Sequence, residues 1–333
     1  MSAELLLAMP ADSSATDSAQ AQRNPYIPKF TATVLGRYEF NTQTIGHHFE
    51  LRHTRIGVYG QVHPSFSYMA LVDLTFGGKF SPVAIFAQYK PIRCLSFLIG
   101  YDKMPFSNEN LLSPYQYYFS DKSFLTQKLT AWSDVGGVVT FEWDKVVPFT
   151  IKAGVFNSAG FSRQGQFQKH LNYVARGTFE LFKGFKLSLN YAAVMPDASV
   201  RMHHMDAGIA YDWKQLHLET EYIYKFYGNQ KLTPVHALYG FAYYRILLEK
   251  KGLSSLALGL RYDAITPNSN LLTDEADHYI YDNPCQRLTA GVTLFFVEKP
   301  VRAGIRIDYE KFFFHKHIRN EHDRLICELI VHL

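Results

Sequence analysis

Phe185-Lys186-Leu187-Ser188-Leu189-Asn190-Tyr191-Ala192-Ala193 sets apolar residues at every second position, with Lys186, Ser188 and Asn190 between them. A period of two describes a β-strand with one apolar and one polar face. The pattern recurs. Leu256, Leu258, Leu260 and Tyr262 oppose Ser255, Gly259, Arg261 and Asp263; Val301, Ala303, Ile305 and Ile307 oppose Arg302, Arg306 and Asp308. Helical spacing is scarce, so no helical layer is available to cover these apolar faces in water. A second packed sheet would cover them in a soluble sandwich, and lipid would cover them in a membrane.

From Phe30 onward such segments are joined by connections of two kinds that take turns. The short kind includes His63-Pro64-Ser65, Lys183-Gly184 and Lys214-Gln215. The variable kind includes Asn41 to His48, Pro105 to Lys128, Asn157 to His170 and Thr266 to Pro284. Short turns alternating with longer loops predict a transmembrane antiparallel up-and-down β-barrel, all-β, of about 16 strands. An even number of strands places both termini at the short-turn end. Residues 29–333 are read as this barrel, and residues 1–28 as an export-signal remnant or a disordered tail. The short apolar run Leu5-Leu6-Leu7-Ala8-Met9 lacks a basic region before it.

Aromatic residues make up 15% of the chain, with 26 Phe and 22 Tyr, and their placement favours the membrane over the sandwich. Phe66, Trp143, Phe149, Phe185, Trp213 and Phe296 fall at strand ends beside short turns; Tyr38, Tyr191, Tyr222, Tyr224 and Tyr262 fall near the loops. Two levels of rings match the two girdles of a membrane barrel. The mean hydropathy of -0.13 suits a wall with only one greasy face, since no apolar run is long enough for a spanning helix.

The net charge of +4 and the absence of a basic block argue against nucleic-acid binding. Three cysteines without a C-x-x-C pair give neither a disulfide framework nor a zinc site. No H-E-x-x-H, G-x-S-x-G, P-loop or dinucleotide fingerprint occurs, so neither catalysis nor a cofactor is expected. His47, His48, His315, His317 and His322 fall in the first and last loops, which barrel closure makes neighbours. They are either solvated or a transition-metal site.

Two stretches carry a family resemblance. Phe49-Glu50-Leu51-Arg52-His53-Thr54-Arg55-Ile56-Gly57-Val58-Tyr59-Gly60 and Gly100-Tyr101-Asp102-Lys103-Met104-Pro105-Phe106-Ser107 resemble the phosphate- or pyrophosphate-selective porin family of the porin O/P type, the second resembling its G-x-F-K-x-P-F segment with Asp102 at the Phe position. The resemblance implies a sixteen-stranded, trimeric outer-membrane porin of a Gram-negative bacterium. It also implies that the loop Pro105 to Lys128 folds inward as a constriction. The amphipathic last strand, Leu325 to Leu333, resembles the terminal signal of outer-membrane barrels, although Leu333 stands where Phe or Trp is usual.

The aromatic content of that loop independently calls for packing against the wall. Lys103, Lys122, Lys128, Glu109 and Asp121 are then the pore-constriction candidates. Arg37, Arg55, Lys152, Arg176, Lys186, Arg261, Arg287, Arg302 and Arg306 are the lumen-lining cations. Carboxylates share the same polar face, so the signs are mixed and weak selectivity is expected. The expected partners are outer-membrane lipid and lipopolysaccharide outside, and small hydrophilic solutes or ions (phosphate among them) inside. The rival readings are a plugged barrel serving as a scaffold or surface receptor, and a soluble all-β binding protein.

Overall fold

Alternating residues become strands that must pair along their whole length, because an unpaired edge in lipid leaves backbone polar groups unsatisfied. In the computed structural model they do so in a ring. The structure describes residues 26–75, 80–195, 200–229, 232–250, 252–275, 277–314 and 322–333. In chain order the strands are β1 (Lys29–Asn41), β2 (Gly46–His63), β3 (Phe66–Asp73), β4 (Ser81–Ile92), β5 (Leu95–Lys103) and β6 (Ser133–Trp143). Then follow β7 (Phe149–Phe156), β8 (Asn172–Phe182), β9 (Phe185–Val194), β10 (Met202–Trp213), β11 (Leu216–Tyr227) and β12 (Val235–Lys250). The last are β13 (Leu253–Ile265), β14 (Ser269–Thr273), β15 (Tyr279–Tyr281), β16 (Cys285–Val297), β17 (Arg302–Phe314) and β18 (Arg324–His332).

Each strand pairs antiparallel with its sequence neighbours, and β1 closes on β18 through the run Thr33↔His332 to Asn41↔Arg324. β14 and β15 stand apart as a two-stranded sheet inside the loop between β13 and β16, an element not foreseen in the sequence. Without them the ring has the sixteen strands expected. Several strands exceed the expected 9–11 residues, β2 reaching 18 and β12 reaching 16, so the wall extends past the apolar band. Short turns, most of two residues, close the other end. At Lys183-Gly184, Gly184 has φ 82, and a Cβ there would collide with the Asp212 carbonyl, so only glycine fits.

The apolar face points away from the barrel axis and nothing covers it. Leu260 is 54% exposed and Leu329 53%, with Leu258, Ile307 and Leu189 exposed beside them, while the alternating Ser255, Ala257, Arg261 and Asp263 are fully buried. A single closed sheet with a bare apolar exterior rules out the two-sheet sandwich and defines a transmembrane barrel. Exposed Phe66, Trp143, Trp213 and Phe296 ring the turn end, with the Lys145 and Lys214 ammonium groups over the Trp143 and Trp213 rings at 5.6 and 5.4 Å. Exposed Tyr191, Tyr222 and Tyr262 mark the loop end.

The inner face is less uniformly polar than the sequence pattern predicts. Met69, Leu71, Phe86, Leu98, Val138, Phe156 and Val174 lie buried on the inner side of β3–β8, in one cluster with Met104, Phe106, Leu125 and Leu129 of the inward loop. Strands such as β4, apolar on both faces, show little contrast between alternate positions, and that hid this sector.

Candidate functional site: the lumen and its inward loop

The segment 104–132 after β5 folds into the barrel, as the loop's aromatic content and the resemblance both predict. It contains two short helices, α1 (Asn108–Leu111) and α2 (Phe124–Leu129), and a 3-10 turn at Pro114–Gln116. Ser123 caps α2 by accepting from the Thr126 N–H at 3.3 Å. The rest is irregular backbone in a closed interior, and its peptide groups need partners.

The barrel wall supplies them, chiefly through arginine. Arg37 donates to the Ser120 carbonyl at 2.7 Å, Arg261 to the Asp121 carbonyl at 2.7 Å, Arg287 to the Lys122 carbonyl at 2.6 Å and Arg302 to the Tyr115 carbonyl at 2.7 Å. Arg306 donates to the Tyr117 carbonyl. Carboxylates reciprocate: Asp263 accepts the Phe124 N–H at 2.9 Å, Glu221 accepts the Asn108 N–H at 3.0 Å and Asp308 accepts the Ser120 N–H. Arg261 and Arg287 also lie over the Phe119 and Phe124 rings at 4.7 and 4.4 Å. A guanidinium offers five donors in a fixed fork, so one side chain can serve a carbonyl, a carboxylate and a ring together.

A notch in the wall receives the loop's central ring. Gly259 of β13 and Gly291 of β16 are register partners, and a Cβ at Gly259 would stand 2.9 Å from Phe119. Glycine at two paired inward positions therefore makes room for Phe119.

Each sequence-predicted residue can now be placed. Lys103 donates to the Asn110 and Leu112 carbonyls at 2.6 and 2.7 Å. Lys122 reaches the Asn110 side chain at 3.4 Å and lies over Tyr117. Glu109 and Asp121 hold arginines: Glu109 meets Arg261 at 3.3 Å, and Asp121 meets Arg37 at 3.0 Å and also Arg324. Burial alone would raise the Asp121 carboxyl; Arg37, Arg324, Arg52 and Arg287 overcome that and hold it well below the ordinary range. Lys128 lies apart from this group, 3.7 Å from Asp282 of the β13–β16 loop.

Among the lumen-lining cations, Arg55 pairs with Asp73 at 3.0 Å. Arg176 bridges Asn190 and Asn108 at 2.9 and 2.7 Å, with Lys152 opposite it in register. Arg37, Arg261, Arg287, Arg302 and Arg306 face the loop rather than open space. Lys186 alone of the nine is exposed. Phe119 is one of the loop aromatics expected to pack on the wall; Arg324 and the glycine pair that seats it were missed in the sequence. An inward glycine in a regular strand was the available signal for the notch.

On the turn side of the loop lies a cavity of ≈ 970 Å³, walled by Asn108, Leu112 and Tyr118 of the loop and by strand ends from β4 to β11. Its cations are Lys90, Arg93, Lys145, Arg176 and Lys186; its carboxylates are Glu142, Asp144, Glu180, Asp212 and Glu219. Five of each sign, with His217 beside them, leave the lining without a formal excess of either charge among its Lys, Arg, Asp and Glu side chains. Tyr118 stacks on His217 at its edge, with centroids 4.7 Å apart.

Of the loop histidines, His315 and His317 lie outside the described residues. His322 reaches Gln43 at 3.1 Å, which brings the first and last loops together as expected. His48 gathers with Glu39 and Glu50, their ligand atoms within 4.8 Å of one another. Arg37 stands 2.8 Å from Glu39 and 3.7 Å from Glu50, and Arg324 3.6 Å from Glu39, so these carboxylates are already neutralised and poorly suited to a metal.

Fold and site together define a sixteen-stranded transmembrane barrel with its third long loop latched inside. No family model and no curated protein matches the chain, but solved structures do. It is similar to the outer membrane channel DcaP of Acinetobacter baumannii, with TM-score 0.63 and 12% identity over 92% of this chain and 97% of that one. It is also similar to an anion-selective porin from Comamonas acidovorans, with TM-score 0.61 and 8% identity over 92% and 98%. The trimer form of OmpT, an outer membrane protein of Vibrio cholerae, aligns with TM-score 0.61 and 12% identity over 92% and 99%. At these identities the likeness is one of fold.

Proposed function

We propose that the protein is a porin of a Gram-negative outer membrane, through which small hydrophilic solutes and ions diffuse passively with weak charge selectivity. The balance of five cations and five carboxylates around the lumen cavity carries this reading. The lumen-facing Arg261, Arg287 and Arg302 are engaged by loop carbonyls, and Arg287 by two carboxylates as well, which supports weak rather than phosphate-specific conduction. The apolar inner sector of β3–β8 favours one alternative, a barrel that does not conduct and serves as a scaffold or receptor. The trimer form of the Vibrio cholerae protein supports three copies per particle, which light scattering in detergent measures directly.

Planar-bilayer recording tests the function. The expected result is steady conductance with a reversal potential near zero under a salt gradient, and Lys186→Glu moving that potential toward cation preference. Silence from an inserted barrel would replace the porin with the scaffold, and strong anion selectivity would contradict the charge balance.

A further inference from the structure

The long loop between β13 and β16 also enters the barrel, from its loop-end rim. Lys225 and Tyr227 end the inner row of β11 that carries Glu221, and both are buried. A lysine shut away from water needs oxygens around its ammonium group. This loop brings them. Lys225 donates to the Asn268 side chain at 2.8 Å and to the Ser269 carbonyl at 3.4 Å, and the Tyr227 hydroxyl donates to the same carbonyl at 3.2 Å. Asn268 and Ser269 are as buried as the wall residues that hold them. A loop lying over the outside of the rim could not reach these inward-facing donors.

The apolar residues of the rim agree. Val235, Ala237, Ile265 and Cys285 face inward, where an open mouth would wet them, yet all four are buried. Leu271, Tyr279 and Tyr281 of the β14–β15 hairpin pack against the cluster to which they belong. Leu271 does so with φ 66, a backbone region that a residue with a side chain enters at a cost. The Thr233 N–H of the β11–β12 connection donates to the Tyr281 hydroxyl at 3.1 Å. Phe124 of the inner loop docks on Asp263 of β13, and Asn268 leaves the same strand further toward the rim. The hairpin and the arginine-latched loop are therefore stacked along the barrel, touching where Asp282 stands 3.7 Å from Lys128.

We infer that the β14–β15 hairpin is a second constriction, seated in the mouth on Lys225 and Tyr227 and in series with the arginine-latched loop. Lys225 is thus a positioning residue, holding the hairpin rather than a passing ion. The inference rests on the porin reading above. Resistances in series add, so widening one constriction leaves the other in force.

Thiol labelling and single-channel recording test it. In a Cys94→Ser, Cys327→Ala background, the remaining thiol is Cys285, at the foot of the hairpin. A water-soluble maleimide is expected to modify it slowly, and about tenfold faster in Lys225→Met with Tyr227→Phe, because access limits the rate at a buried thiol. Leu271→Ser with Tyr279→Ser, which leaves the wall intact, is expected to do the same. Both variants are expected to conduct more than the wild type, and either combined with Arg287→Ala to conduct more than each change alone. Unaltered labelling and conductance in both variants of a conducting barrel would overturn the second constriction. Silence from every form, with the variants still labelling faster, is a different result: it would overturn the porin reading, and a constriction's role with it.

Discussion

Arg287→Ala is expected to unlatch the inward loop, raising single-channel conductance and the size limit for neutral solutes while the barrel stays folded. Arg287 is buried and ties three things together: Asp263 at 3.1 Å, Glu310 at 2.9 Å and the Lys122 carbonyl at 2.6 Å. Truncation takes one cation from Asp263 and Glu310, which keep Arg261 at 3.3 and 3.7 Å and, for Glu310, Arg324 at 2.8 Å. The loss therefore stays below the about 3–5 kcal/mol of a buried charge left with no partner. The sixteen-stranded hydrogen-bond ladder does not depend on this contact, so that cost falls on the loop's docking. Arg287→Lys should recover only part of it, because a single ammonium cannot reproduce a guanidinium fork. Gly259→Leu reaches the same end from the opposite side, by filling the notch that seats Phe119. Wild-type conductance and size limit in both Arg287→Ala and Gly259→Leu would show that the latch does not set the pore.

That latch marks the boundary of what the sequence discloses. The barrel was legible because each strand of the β13 kind repeats one decision, lipid or interior, at every position; four or five concordant positions outweigh one exception. The strand count followed from the turns, since Lys183-Gly184 and Lys214-Gln215 announce themselves by composition. The constriction was legible as a loop too aromatic to stay in water. Its partners were not. Arg261 and Asp263 read as two inward charges on one strand, and nothing local says whether an inward arginine faces a solute, a cross-strand acid or a peptide carbonyl from 140 residues away. The path of an irregular segment fixes that choice, and it has no period to read. Lys128 shows the same limit: it sits in the loop as expected, yet the turn of α2 carries it to Asp282.

Leu260→Arg is expected to cost the barrel about 2–4 kcal/mol, the penalty for a cation at the middle of the lipid-facing wall. Leu260 lies near the centre of β13, flanked in register by Ala242 and Ala290, so no neighbouring acid is available to pair with the new charge. Val297→Arg, at the turn end of β16, should cost only about 0–1 kcal/mol, because there the side chain reaches the headgroup layer. Both positions are exposed, so in a water-soluble protein both substitutions would fall within about 0.5 kcal/mol of neutral. The contrast between them is therefore a signature of depth in a bilayer rather than of packing. Urea titration of the two variants refolded in lipid vesicles measures it. Equal, small effects would mean that the bare apolar exterior of this sheet does not face acyl chains. A large loss at Leu260 with little at Val297 follows only if the exterior is solvated by hydrocarbon in the middle and by water at its rims.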